Sequence, residues 1–207
     1  MTTNPATPSS ERRDFLRNSG LALAALAALG SAAAAPATAQ TQNTAANPMG
    51  IRRADHLGWT VPDLDAAIAF YQRVFGARLL YRLGPIDAAD IPRQPDGRDW
   101  AEAHVGVAGA QLELALLQMP YDLKLELFRY TKPASATATP LRSNHIGSNH
   151  LGIEVENMDA AAQRLRDNGC TVMERIAFDD GPTAGVQFQY AFDPWGNIIE
   201  LVYYANK

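Results

Sequence analysis

His56-Leu57-Gly58-Trp59-Thr60-Val61 and His150-Leu151-Gly152-Ile153-Glu154-Val155 are two copies of one pattern. Nine residues after each histidine the chain reads Asp-Ala-Ala, at Asp65-Ala66-Ala67 and at Asp159-Ala160-Ala161. Each copy then meets a glycine, Gly76 or Gly169, and re-enters apolar sequence. The copies close alike, on Leu125-Glu126-Leu127-Phe128-Arg129-Tyr130 and on Ile199-Glu200-Leu201-Val202-Tyr203-Tyr204. A repeat on this scale means two like supersecondary units that bury one core together.

The local periods give the content of each unit. The opening hexapeptides alternate as strands do, and Leu64, Ile68, Tyr71 and Phe75 then fall on one helical face. Met158, Ala162 and Leu165 do the same in the second copy. Asp63 and Asn157 stand where N-caps belong, and Gly76 and Gly169 where helices stop. Further strands are predicted near 78–83, 105–118, 123–130, 171–176, 186–192 and 197–204, with a turn at Asp193-Pro194-Trp195-Gly196. Each copy is therefore βαβββ and the fold class α+β. The divisions are module one at 53–131, a linker at 132–148 and module two at 149–205. Residues 85–100, rich in Pro, Asp and Gly, are predicted to be a loop insertion in module one.

Strand alternation assigns faces. Leu57, Trp59 and Val61 share one face of the first strand, so His56, Gly58 and Thr60 share the other. Ile199, Leu201 and Tyr203 likewise oppose Glu200, Val202 and Tyr204. The apolar faces are expected on the helices, and the His and Glu faces around a concavity. In the seventh strand this rule sends Val186, Phe188, Tyr190 and Phe192 to the helices and leaves Gln187 and Gln189 for the pocket. His56, Glu126, His150 and Glu200 then stand out, one imidazole and one carboxylate per module. A carboxylate facing an interior needs a partner. Imidazole with carboxylate suits Zn, Ni, Mn, Co or Fe better than Ca or Mg. Thr60, Tyr130 and Tyr204 share the same faces and are candidate substrate contacts. Glu113, alternating with Leu112, Leu114 and Leu116, faces either the pocket or solvent at a sheet edge. His145, in the Ser/Asn/Gly-rich linker, is either a surface residue or a contact at the pocket mouth. His104 and Cys170 are read as structural.

These residues resemble the vicinal oxygen chelate superfamily, which holds glyoxalase I, epimerases, extradiol dioxygenases and bleomycin-resistance proteins. The markers are His56-Leu57-Gly58 with Val61-Pro62-Asp63-Leu64-Asp65, Phe70-Tyr71 with Phe75-Gly76, Leu125-Glu126-Leu127, His150-Leu151-Gly152, and Asp193-Pro194-Trp195-Gly196-Asn197 with Glu200-Leu201. The resemblance implies paired βαβββ modules, helices outside, whose mixed sheet curls into a cup around one divalent metal ion. It implies that His56, Glu126, His150 and Glu200 are the ligands, that Glu126 or Glu200 doubles as catalytic base, and that a metal-stabilised enolate is formed. A glyoxalase-like lyase, isomerase or epimerase acting on a small oxygenated substrate is the leading expectation. Extradiol-type dioxygenase and non-catalytic small-molecule binding are the alternatives.

The first residues read differently. Arg12-Arg13 precedes Phe15-Leu16, an Ala/Leu run extends from Leu21 to Ala35, and Ala37-Thr38-Ala39 offers a small-residue cleavage site. That is the layout of a signal peptide, similar to a twin-arginine signal, over 1–39. A flexible tether at 40–52 would follow. The expected partner is the twin-arginine export machinery and the expected location periplasmic or secreted, with no stable membrane anchor. A single cysteine excludes an internal disulfide. A net charge of −4 with no basic block gives no footprint for nucleic acid. A homodimer is compatible with everything above.

Overall fold

A computed structural model describes residues 48–134 and 140–205. The predicted signal peptide, and the tether up to residue 47, lie outside the described residues. Among the described residues no helix is long and apolar enough to cross a membrane.

Module one runs β1 (His56–Thr60), α1 (Leu64–Phe75), β2 (Arg78–Asp87), α2 (Trp100–Val105), β3 (Gln111–Gln118) and β4 (Lys124–Lys132). Module two runs β5 (His150–Glu154), α3 (Met158–Asp167), β6 (Thr171–Ala177), β7 (Val186–Phe192) and β8 (Ile198–Tyr204). Short 3₁₀ turns at Ala88–Asp90 and Gly181–Thr183 complete the elements. The strands form two four-stranded sheets, ordered β1-β4-β3-β2 and β5-β8-β7-β6. In each, the first strand runs parallel to the last and the other pairs are antiparallel. The fold is thus α+β, two βαβββ modules with open mixed sheets, in agreement with the expected class.

The helix ends follow the residues present. Asp63 Oδ1 accepts from Ala66 N at 3.0 Å, and Asn157 Oδ1 accepts from Ala160 N at 2.9 Å. α1 ends on Gly76 at φ 69°, a left-handed conformation that glycine adopts without steric cost. α1 buries Leu64, Ala67, Ile68, Phe70, Tyr71 and Val74. Full burial of each large side chain stabilises by roughly 1.5–3 kcal/mol. One core joins both modules: Trp59, Tyr71, Leu117, Leu125 and Leu127 pack in the same cluster as Leu151, Leu165, Ile199 and Leu201.

Asp193 locks the modules together. Its carboxylate accepts from Tyr71 Oη at 2.7 Å, from the backbone of Trp195 and Asn197, and from Asn197 Nδ2. Phe70 meets Trp195 edge to face, with centroids 5.5 Å apart. Arg73 Nε donates to Asn168 Oδ1 at 2.8 Å, and Arg164 Nε donates back to Val74 O at 2.7 Å.

The insertion differs from its expectation. β2 continues through Asp87, and residues 100–105, part of which was predicted as strand, form α2. Asp99 caps it by accepting from Glu102 N at 2.8 Å, and Gly106 ends it at φ 72°. His104 lies in this helix, with Nδ1 2.7 Å from Trp100 O and its ring stacked on Trp100.

Candidate functional site

Register decides which side chains share a face. Gly58 pairs with Glu126, and Leu116 lies opposite Glu126 on the other side. Gly152 and Tyr190 flank Glu200 in the same way. The core cluster takes the neighbouring positions Leu125, Leu127, Ile199 and Leu201. Glu126 and Glu200 therefore point away from the helices, as alternation predicted.

Each carboxylate meets the histidine of its own module. His56 Nε2 lies 3.4 Å from Glu126 Oε2, and His150 Nε2 lies 3.1 Å from Glu200 Oε2. The glutamates are mostly covered, at 20% and 17% side-chain exposure, while the histidines are about half exposed at 44% and 46%. An imidazole lone pair facing a carboxylate is mutually repulsive unless a proton or a metal ion stands between them. Desolvation raises the Glu126 pKa, partly offset by His56 beside it, with Asp55 adding a smaller upward push. Burial first, and then the charge of Glu126 nearby, raises the pKa of Tyr81 and of Tyr130.

Behind His56 stands Asp55. His56 Nδ1 is 2.9 Å from Asp55 Oδ1, and Lys124 Nζ donates to Asp55 Oδ2 at 2.8 Å. Those two hydrogen bonds hold the Asp55 carboxyl down at about 2. Behind His150 the aromatic ring of Tyr190 stands edge-on at 5.5 Å.

The four expected ligands form two pairs, not one cluster. Among the described residues no three His, Cys, Asp or Glu side chains come close enough to hold a metal ion. The donor chemistry of each pair, one imidazole and one carboxylate, is of the kind that suits a divalent ion of the Zn to Mn series.

The other candidates separate. Tyr130 and Thr60 lie on the Glu126 face by register, and Tyr204 on the Glu200 face. Gln187 and Gln189 do not share the face of Glu200. They pair with Tyr203 and Leu201, on the helix side, where Gln189 is buried and its Nε2 donates to Met173 O. Val186, Phe188 and Tyr190 take the Glu200 face instead, opposite Tyr204, Val202 and Glu200. Glu113 is also on the helix side, paired with Arg129. Arg82 Nη2 at 2.6 Å and Arg129 Nη1 at 2.9 Å hold it there, so it braces the sheet instead of lining a pocket. His145 is exposed in a linker turn, where its Nδ1 accepts from Arg142 N.

A family model described as the Glyoxalase/Bleomycin resistance protein/Dioxygenase superfamily matches residues 53–201. The chain belongs to that superfamily. A 2-epi-5-epi-valiolone epimerase of an Actinomyces species is 38% identical over 150 residues, 71% of this chain and 76% of the relative. A lactoylglutathione lyase of Salmonella typhimurium is 29% identical over 149 residues, 71% of this chain and 89% of the relative. A glyoxalase family protein from Bacillus cereus shares the fold at TM-score 0.56 and 21% identity, covering 80% of this chain and 98% of that one.

Three residues that share a face with Glu126 or Glu200 carry no sign of it in the sequence. Tyr81 should share a face with Leu79 by alternation, but a register shift between them sets Leu79 against Leu117 and Tyr81 against Leu116. A bulge of this kind moves one side chain to the opposite face. Phe188 and Tyr190 belong to an apolar run that reads as core, but pairing with β8 puts them on the Glu200 face. The insertion adds the rest of the wall: Trp100, Ile86 and Val107 pack with Leu112, Leu114, Phe128 and Tyr130. Those last four lie on the Glu126 face, so α2 covers one end of it.

Proposed function

We propose that this chain is a divalent-metal-dependent epimerase of the superfamily, removing and returning a proton beside a carbonyl of a small oxygenated substrate. The observation that carries it is the matched His–Glu pair in each module, each carboxylate turned away from the core and mostly out of water. The epimerase at 38% identity favours epimerisation over the lyase reaction of the more distant relative. The chain is an enzyme of the superfamily's isomerase and lyase kind.

His56, Glu126, His150 and Glu200 would hold the ion. When bound, it supplies Lewis-acid polarisation of the substrate oxygens. Glu126 is assigned the role of proton acceptor: its carboxylate is mostly covered and turned away from the core, and desolvation raises its pKa. Tyr81 and Tyr130 stand near enough to feel its charge and offer hydroxyl donors to substrate oxygens. Leu114, Phe128 and Trp100 exclude water from one end. Each module supplies two ligands, and β1 and β5 each end a sheet, with a single hydrogen-bonded neighbour among the described residues. A homodimer in which module one of one chain meets module two of another would complete two four-ligand sites.

The test is metal analysis with proton exchange. Metal-loaded protein in deuterated water, given 2-epi-5-epi-valiolone, should incorporate deuterium at one carbon and interconvert epimers. Chelator-treated protein and Glu126→Gln should not. Stoichiometric metal without exchange on that ketone, but with turnover of a glutathione hemithioacetal, would move the assignment to the lyase.

Export through the twin-arginine route to the periplasm or medium is part of the same proposal, resting on Arg12-Arg13, the Ala/Leu run and Ala37-Thr38-Ala39. Changing both arginines to lysine should retain the protein in the cytoplasm. Continued export would refute this part alone.

A further inference from the structure

His56 and His150 occupy matched positions, yet different residues stand behind them. Asp55 precedes His56, and Lys124 is its partner across the parallel pair β1–β4. Asn149 precedes His150, and the counterpart of Lys124 is Ile198, apolar and buried. Asp55 turns toward its histidine, with Oδ1 2.9 Å from Nδ1. Asn149 turns toward the core, where its Oδ1 accepts from Trp59 Nε1 at 3.1 Å. The same position thus orients a ligand in one module and latches the two modules together in the other.

We propose that Asp55, anchored by Lys124, is a positioning residue for His56, and that it makes module one the stronger half of the metal site. An aspartate carboxylate at Nδ1 accepts a hydrogen bond from Nδ1–H, which fixes the tautomer and leaves the Nε2 lone pair for an ion shared with Glu126. It fixes the ring's rotation and raises the basicity of the coordinating nitrogen. Lys124 Nζ on the second oxygen keeps the carboxylate from swinging away. Module two has neither charge at these positions, so His150 is oriented by packing against Tyr190. The inference rests on the metal-dependent reading above.

Cobalt(II) is the probe, titrated into the full chain and followed by visible absorption and by chelator competition. Asp55→Asn, close to isosteric, should weaken cobalt binding by roughly tenfold to a hundredfold and alter the ligand-field band. Asp55→Glu should recover part of that loss. Asn149→Ala should leave the affinity where it was while lowering thermal stability. If Asp55→Asn does not fold by circular dichroism, Lys124→Met replaces it, with a smaller loss in the same direction. Wild-type cobalt binding in Asp55→Asn, alongside loss of binding in His56→Ala, would overturn the proposal and leave the metal-dependent reading standing. Equal binding by wild type and His56→Ala, or none by either, would overturn that reading and this proposal with it.

Discussion

Desolvation by burial raises the Glu126 pKa, so ionising this carboxylate costs more in the folded chain than in the unfolded one. A raised folded-state pKa contributes stability that is full below the unfolded value and is lost as pH rises through the folded value. At neutral pH, then, the metal-free protein carries Glu126 at a cost that binding an ion would offset. Glu126→Gln in chelator should melt higher than wild type at pH 7, and the advantage should close as pH falls through the carboxylate range. Thermal unfolding across pH reads this directly. A variant no more stable at pH 7 would mean that the carboxylate is better solvated than its surroundings indicate. Asp193 is a buried carboxylate with hydrogen-bond donors on both oxygens. Tyr71→Phe removes one of them and should cost about 1–3 kcal/mol in denaturant unfolding, because the acceptor stays buried.

Among the elements, α2 sets module one apart. No equivalent helix is present in module two, where the 3₁₀ turn Gly181–Thr183 joins β6 to β7. α2 packs in a small cluster of its own, separate from the main core. Trp100→Ala should therefore loosen residues 86–110 without melting the domain. Amide exchange there should quicken by one to two orders of magnitude, about 2 kcal/mol of lost apolar burial, while β4 and β8 keep their protection. How much of this was legible follows from which forces are local. Caps, glycine stops and strand periods are set by near neighbours, so α1, α3, β7 and the His–Glu faces could be read directly. Strand faces depend on pairing as well as pattern. Phe188 and Tyr190 look like core in the chain and lie on the Glu200 face in the fold, because β8 fixes their side. The bulge that turns Tyr81 has no mark in Leu79-Leu80-Tyr81. α2 did leave a signal, in Asp99 three residues before Glu102 and in Gly106 beyond, but the surrounding Pro and Gly masked it.

At the scale of the whole molecule the two His–Glu pairs pose one question: does a site close within a chain or between chains? The pairs sit on separate sheets whose first strands, β1 and β5, are edges. Each edge has one hydrogen-bonded neighbour among the described residues, which leaves it open to the dimer proposed above. Complementation decides it. One variant carries His56→Ala and Glu126→Ala, the other His150→Ala and Glu200→Ala, and each alone should be inactive and bind no cobalt. If sites form between chains, a mixed dimer joins the intact module one of the second variant to the intact module two of the first. Random mixing then makes half the dimers mixed, each with one of its two sites restored, so about a quarter of wild-type activity should return. Cobalt capacity should recover in the same proportion, which keeps the result independent of the substrate chosen. If each site closes within its own chain, every site in the mixture keeps a damaged module, and neither activity nor metal returns.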